Sequence, residues 1–178
     1  MGGQGKSVQV QTCTKKRDFV IEDVLEFTSA RKRQSIILRD DSGNFMLLIK
    51  GAESHVLPLV TKGPVEVVKK QIIKFSMSGF RTLVVCKRLL TKEQGESLLR
   101  QLKEAKSIVA NSERIAKVEE IQARCESDLE LMGVTAVEDK LQDGVASTME
   151  NLRQAGIVIW ILTGDNEETA VAVSRMAR

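Results

Sequence analysis

A short polar turn with residue types that can bind an anion directly follows a fully apolar run. The turn Thr163–Asp165 comes after the six apolar residues Ile157–Leu162, and a second acidic residue, Asp139, follows the strand-like run Leu129–Val137. If both runs are parallel strands, their carboxyl ends lie at the edge where α/β sheets bind ligands. The turn is therefore either a ligand site or a simple strand end.

Five residues of the first half of the chain also have groups suited to a ligand. The ring of Phe27 offers a face for stacking, and Ser29 offers a hydroxyl. Lys50 is a compact positive charge, Gly51 permits close backbone approach, and the guanidinium of Arg81 can grip two oxygens of one anion. Each has an ordinary structural interpretation as well: a core aromatic, a turn hydroxyl, a strand end and two surface cations.

The composition excludes several classes of protein. The 178 residues are 42% hydrophobic and 29% charged, which is typical of globular domains, and the net charge of +3 is too small to indicate a nucleic-acid partner. With 3% aromatic residues and no tyrosine, platforms for stacking single-stranded bases are not expected. The three cysteines are far apart, so neither a zinc site nor a disulfide framework is indicated.

The first two thirds of the chain have the pattern of short strands and helices. The polar run Asp40–Asn44 separates two apolar segments and predicts a β-hairpin. Apolar residues at helical spacing predict helices over Val65–Met77 and, with a new start at Asn111, over Lys92–Ser127. The predicted strands are 19–25, 35–38, 45–49 and 82–86.

The last fifty residues alternate between strand and helix. A helix with Val145, Met149 and Leu152 on one face, which ends at Gly156, separates Leu129–Val137 from Ile157–Leu162. A second helix follows the Thr-Gly-Asp turn. The predicted fold class is α/β: an antiparallel sheet with helices, followed by a partial parallel βαβα segment like that of the haloacid dehalogenases.

Five short motifs in fixed order carry a specific resemblance. They are Leu25–Ser35 (LEFTSARKRQS), Lys50–Glu53 (KGAE), Gly79–Leu83 (GFRTL), Val137–Val145 (VEDKLQDGV) and Leu162–Asn166 (LTGDN). Together they resemble the cytoplasmic head of the P-type ATPases, and the EDKLQ form resembles the phospholipid-transporting (type IV, flippase) branch. The resemblance runs from Phe19 to the end of the chain.

The resemblance implies a nucleotide site. In the family, the aromatic residue matched by Phe27 stacks on adenine, with Ser29 in the same motif, and the lysine matched by Lys50, next to Gly51, lines the nucleotide pocket. The arginine matched by Arg81 reaches the phosphates of ATP.

The resemblance also implies a phosphoryl side of the site. Thr163, Gly164 and Asp165 match the family's TGD, whose hydroxyl and amide can bind phosphoryl oxygens. Asp139 matches an acidic residue near the phosphate and Mg²⁺, although a charge at a helix N-terminus is an equal alternative.

Two family motifs do not occur in these 178 residues. The DKTGT motif holds the nucleophilic aspartate, and the GDGxND motif holds Mg²⁺; neither is found. We therefore expect no catalytic residue and no metal site here, with most Mg²⁺ ligands outside this chain. The expected activity is ATP binding without turnover.

The resemblance implies a division into a flexible leader (1–17), a nucleotide-binding domain (18–128) and part of a phosphorylation domain (129–178). The chain would be a soluble piece of the cytosolic part of a multi-pass membrane protein. That parent would couple ATP hydrolysis, through an aspartyl-phosphate, to phospholipid movement. The chain would contact membrane and phospholipid only as part of the parent. An accessory subunit of the parent is a further partner that the family allows. A nucleic-acid partner is not expected.

Two other functions stay open at this stage. A free-standing phosphotransferase of the haloacid dehalogenase type would need a nucleophilic aspartate near the start of a first strand, and none is found. A non-catalytic interaction or autoinhibitory module could keep the fold and lose the ligand, with the charged stretch Lys92–Ser127 as its docking surface.

Overall fold

A computed structural model of the chain describes residues 6–11, 13–138, 141–164 and 167–176. The contacts between residues divide the chain into two compact units. The first unit comprises Met1–Gly63 and Val84–Gly133, and the second comprises Pro64–Leu83 and Val134–Arg178.

The strands of the described residues belong to one mixed sheet. They are β1 (Lys6–Gln11), β2 (Lys16–Leu25), β3 (Arg33–Asp40), β4 (Phe45–Gly51), β5 (Val60–Lys62), β6 (Phe80–Leu90) and β7 (Leu129–Glu138). Their order in the sheet is β1-β2-β3-β4-β6-β7-β5. The pairs from β1 to β4 and the pair β4–β6 are antiparallel, whereas β5 and β7 run parallel.

Helices follow or separate these strands. They are α1 (Glu53–Val56), α2 (Val65–Met77), α3 (Lys92–Lys106), α4 (Asn111–Cys125), α5 (Val145–Gln154) and α6 (Glu167–Met176), with a 3₁₀ turn at Leu57–Leu59. The predicted α/β class is thereby confirmed. The helix predicted over Val65–Met77 is found with those bounds, and the predicted break at Asn111 separates α3 from α4.

Local turn chemistry forms the hairpin between β3 and β4. The amide of Asn44 donates to Oδ1 of Asp40 (2.8 Å), and the amide of Asp40 donates to the carbonyl of Asn44 (3.0 Å). Gly43 has a φ of 83°, which a residue without a Cβ adopts at little cost. The hairpin predicted from Asp40–Asn44 is therefore confirmed.

The first unit buries one face of its sheet under α3 and α4. Ile37, Leu47 and Val84 of the sheet are fully buried, and Leu102 of α3 is 1% exposed. Gly95 lies against the ring of Phe45, and a Cβ at this position would overlap that ring. A helix glycine here lets α3 approach β4 closely, which fixes the sheet to its helical layer.

Two stretches of the predicted flexible leader (residues 1–17) lie in strands, while the division of the chain into a leader and two domains stays a prediction. Lys6–Gln11 form β1 and pair in antiparallel register with Lys16–Ile21 of β2. Because the described part of β1 completes backbone hydrogen bonds along β2, the pairing gives this polar segment a defined conformation.

The second unit differs from the sequence prediction at Ile157–Leu162. Helix α2 packs against α6, and α5 ends before Gly156, whose φ is 77°. The strand predicted over Ile157–Leu162 is wrong: these residues form no strand, and Val158, Trp160 and Leu162 are 78%, 82% and 90% exposed. No strand among the described residues pairs with them, and an apolar run becomes a strand only beside a partner.

The strand predicted over Leu129–Val137 is confirmed as β7, but its parallel partner is β5.

Among the described residues, no helix is long and apolar enough to cross a membrane.

Candidate functional site

Phe27 and Ser29 lie in the loop between β2 and β3, which comprises residues 26–32 (the β2–β3 loop). The backbone closes this loop on itself, because the amide of Lys32 donates to the carbonyl of Thr28 (2.8 Å). The amide of Arg31 also donates to Oγ1 of Thr28 (3.2 Å). Phe27 is 58% exposed and Ser29 is exposed, so the core interpretation of the aromatic ring is wrong and the ring face is available to a ligand.

Lys50 and Gly51 end strand β4. Lys50 is exposed and lies opposite Gln34 of β3, while Gly51 is buried and lies opposite Arg33. Gln34 in turn donates from Nε2 to Oε2 of Glu26, the residue before Phe27 (3.2 Å). The lysine therefore stands beside the strand that leads out of the β2–β3 loop.

The antiparallel register brings these residues to one end of the sheet. Leu25 at the end of β2 is opposite Ser35 of β3, and Ser35 is opposite Ile49 of β4. The segment that follows β2 and the last residues of β4 consequently lie at the same end. The structure thus groups Phe27, Ser29, Lys50 and Gly51, with an exposed aromatic face and an exposed cation, as a candidate site for a ligand that has a planar and an anionic part.

The other predicted site residues lie elsewhere in the chain. Arg81 is the second residue of β6 and is exposed, in the second unit. Thr163 and Gly164 are exposed in the segment before α6, also in the second unit. Asp139 and Asp165 lie outside the described residues.

A buried carboxylate beneath the β2–β3 loop was not among the predicted site residues. Glu126, at the C-terminal end of α4, is 0% exposed and forms ion pairs with Arg31 and Arg33. Nε of Arg33 donates to its Oε2 (2.7 Å), and Oγ of Ser35 donates to its Oε1 (2.5 Å). The carboxylate thus ties α4 to the residues that follow the loop.

The basic run Arg31–Arg33 is therefore not the solvated face that its charge suggests by default. The side chains of Arg31 and Arg33 are 12% and 15% exposed, while Lys32 between them is exposed. Arg31 lies in the loop and Arg33 begins β3, and Lys32 between them has a φ of 47°, so no strand alternation in the sequence indicates this arrangement.

Burial and the same carboxylate act on a neighbouring thiol. Burial, and then the negative charge of Glu126, raise the pKa of Cys125 to about 12, because both disfavour the thiolate. Burial likewise raises the pKa of Cys86 on β6 to about 11. Neither thiol is a candidate nucleophile.

The described residues contain no cluster of three or more His, Cys, Asp or Glu side chains that could hold a metal ion. A divalent cation prefers several carboxylate and carbonyl oxygens. The residues around Phe27 and Lys50 supply a ring, a hydroxyl, a cation and the one carboxylate of Glu26, and a single carboxylate does not fit such a metal ion.

Comparison with known proteins gives a consistent result. The family model described as P-type ATPase, cytoplasmic domain N, matches residues 5–144. Phospholipid-transporting ATPase IH of Mus musculus is 43% identical over 154 residues, which are 86% of this chain and 13% of that protein. Phospholipid-transporting ATPase 10 of Arabidopsis thaliana is 40% identical over 161 residues, 89% of this chain and 13% of that protein. Phospholipid-transporting ATPase IG of Homo sapiens is 37% identical over 171 residues, 96% of this chain and 15% of that protein.

Proposed function

The chain belongs to the phospholipid-transporting branch of the P-type ATPases and contains their cytoplasmic domain N, and on this premise we propose that it binds ATP at the end of the sheet that carries Phe27 and Lys50. The observation that carries the proposal is the exposure of both side chains at one end of β2, β3 and β4. An aromatic ring left 58% exposed gains free energy when a purine covers it.

The roles of the residues follow from their chemistry. The face of Phe27 stacks on adenine, the hydroxyl of Ser29 offers a hydrogen bond beside it, and the ammonium of Lys50 attracts the phosphates. Gly51 lets the backbone of β4 lie close to its neighbour strand. The site binds and orients the nucleotide, and none of these four residues is given a catalytic role.

The phosphoryl side of the site is a further part of the proposal. Arg81, Thr163, Gly164, Asp165 and Asp139 match family residues on that side. A guanidinium, a hydroxyl and a backbone amide are donors suited to phosphoryl oxygens. Mg²⁺, which would balance the phosphate charge, would take its ligands mainly from outside this chain.

The parent protein would be considerably longer than this chain, which spans 13% to 15% of the length of the three relatives. We propose that the parent couples ATP hydrolysis, through an aspartyl-phosphate, to phospholipid transport across a membrane. The chain would then be part of its cytosolic head, and an accessory subunit would contact the parent. The chain itself has no DKTGT motif and should bind ATP without turnover.

A titration with ATP tests the proposal. The expected result is saturable binding at up to millimolar ATP, seen by calorimetry or by NMR shifts, together with no steady-state release of phosphate. Phe27→Ala should weaken binding about 5- to 150-fold, since stacking on one base contributes about 1–3 kcal/mol.

A matched control is Leu89→Ala, which removes another exposed apolar side chain, 68% exposed, from β6. Its affinity for ATP should equal that of the unsubstituted chain. Equal affinity in Phe27→Ala would instead favour a non-catalytic interaction module, and sustained hydrolysis would contradict the absence of turnover.

A further inference from the structure

We infer that Glu126 is a positioning residue for the nucleotide site: its buried carboxylate holds the β2–β3 loop in the conformation that presents Phe27. The inference rests on the proposed function, because it gives this carboxylate a task in ATP binding. Glu126 itself is fully buried and has no access to a ligand. It would act only through the residues that it binds.

The carboxylate gathers three donors from the exit of the loop. Arg31 is the last but one residue of the loop, and Arg33 and Ser35 are the first and third residues of β3. All three donate to Glu126, which is 91 to 95 residues away in the chain. One buried group thus fixes the end of the loop from below.

Arg31 carries this restraint across to the start of the loop. Its Nη2 donates to Glu126 while its Nη1 donates to the carbonyl of Glu26 (2.8 Å). Its backbone amide donates to the hydroxyl of Thr28. Phe27 lies between Glu26 and Thr28, so the backbone is held on both sides of the aromatic residue.

Arg33 extends the same restraint to the strand end that bears Lys50. Arg33 lies opposite Gly51, and a Cβ on Gly51 would overlap both Cβ of Arg33 and the carbonyl of Lys32. The amide of Ala52 donates to that same carbonyl (2.9 Å). A shift of Arg33 would therefore move the backbone beside Lys50 as well.

Glu126 is in turn held in place by β6. Nη1 of Arg88 donates to the carbonyls of Arg124 (2.9 Å) and Cys125 (3.0 Å) and to Oγ of Ser127 (3.0 Å). The guanidinium supplies hydrogen-bond donors to the last carbonyls of α4, and its positive charge is favoured by the helix dipole. The helix end therefore presents Glu126 toward the loop in one orientation.

The energetics of the cluster favour a role in conformation over a role in stability. Buried ion pairs contribute little net stability, because both partners lose their hydration. Among the described buried side-chain nitrogen and oxygen atoms, Nε of Arg31 is the one without a hydrogen-bond partner. A buried donor without a partner adds a further cost in free energy. A cluster with these costs beside an exposed aromatic residue is consistent with a conformation kept for binding.

Glu126→Gln tests the inference, because it keeps the shape and removes the charge. Its amide group would point an NH₂ at one of the two guanidinium groups. We expect amide hydrogen exchange at residues 28–33 to become at least tenfold faster without nucleotide, and the dissociation constants of both ATP and adenosine to rise at least tenfold. Glu126→Asp, which keeps the charge, should recover part of the affinity.

Two controls separate positioning from a general loss of stability. Glu22→Gln breaks another ion pair of β2 and β3, that of Glu22 with Arg39, away from the loop, and should leave the affinity unchanged. Ile37→Val lowers stability from a fully buried site and should likewise leave the affinity of the folded protein unchanged. If Glu126→Gln does not fold, Arg31→Lys is the second variant, since an ammonium cannot bridge Glu126 and the carbonyl of Glu26 with the reach of a guanidinium.

The outcomes distinguish the inference from the proposed function. If the unsubstituted chain and Phe27→Ala differ in ATP affinity while Glu126→Gln matches the unsubstituted chain, Glu126 is purely structural and the inference is wrong. If the unsubstituted chain binds neither ATP nor adenosine, the proposed function is wrong and the inferred task of Glu126 falls with it. The exchange rates of residues 28–33 then still show whether Glu126 holds the loop.

Discussion

Gly51 faces Arg33 across the β3–β4 pair so closely that a Cβ added to Gly51 would lie 2.5 Å from the Cβ of Arg33. The two residues are paired in the antiparallel register, and Gly51 is buried. The position requires glycine for lack of space rather than for an unusual φ. This close approach joins the strand end bearing Lys50 to the arginine that Glu126 holds.

Gly51→Ala should disturb both the fold and the site. The added methyl group would push β3 and β4 apart at this end, so we expect the free energy of unfolding to fall by about 1–3 kcal/mol. The displaced Lys50 should also bind ATP more weakly. Urea denaturation and ATP titration of the same samples measure the two effects.

Gly95→Ala is the matched control for this variant. Its methyl group would overlap Phe45, at the beginning of β4 and so at its other end, and should also lower stability. The affinity of the folded protein for ATP should not change. A loss of affinity in both variants would show that the effect at Gly51 is a general one.

Lys50→Gln should weaken binding only of the charged ligand. Removing the exposed ammonium should raise the dissociation constant of ATP about 5-fold, because an exposed charge pair contributes up to about 1 kcal/mol. The affinity for adenosine should stay the same, and the difference for ATP should shrink at high salt. Lys117→Gln, which removes an exposed lysine from α4, is the control and should not alter either affinity. An equal loss for adenosine would contradict a phosphate-side role of Lys50.

Several elements could be predicted because their causes are local. The helical spacing of apolar residues over Val65–Met77 is a property of the segment itself, and so is the turn chemistry of Asp40–Asn44. The family resemblance implies one nucleotide site for Phe27 and Lys50, and that site stays a prediction; the two residues do lie at one end of the sheet. In the structure, β2, β3 and β4 are antiparallel neighbours. The end of β2, the start of β3 and the end of β4 therefore lie at the same edge of the sheet.

Other features could not be predicted because their causes are distant in the chain. The partners of Glu126 are 91 to 95 residues away, so no local pattern marks it as buried. The run Ile157–Leu162 has the composition of a strand, but strand formation depends on a neighbour that the composition does not reveal.

Trp160 tests the conformation of that run, since it is the one tryptophan of the sequence. Its side chain is 82% exposed. We expect its fluorescence to be that of a hydrated indole and its quenching by acrylamide to change little when the chain unfolds. Blue-shifted emission and protection from acrylamide in the folded chain would show that Ile157–Leu162 is buried and that the predicted strand pairs with another strand.

The three thiols should differ sharply in reactivity. Cys13 is exposed, whereas Cys86 and Cys125 are buried. With the pKa of Cys86 raised to about 11 and that of Cys125 to about 12, fewer than about one in a thousand of these thiols are ionised at pH 8. Iodoacetamide at pH 8 should therefore label one thiol per folded chain and three per unfolded chain. Rapid labelling of a second thiol in the folded chain would contradict the burial of Cys86 and Cys125.

The same raised pKa values predict a loss of stability in alkali. The folded chain keeps both thiol protons above the usual thiol pKa of 9.0, whereas the unfolded chain releases them. The stabilisation is therefore fully present below pH 9 and is lost as the pH rises from 9 toward 11 and 12. Urea denaturation from pH 8 to pH 10.5 should show a falling free energy of unfolding, and the slope should be smaller in Cys86→Ala, which is less stable at pH 8 but has one thiol fewer to titrate. An equal slope in both proteins would mean that the decline comes from other groups, such as the lysines.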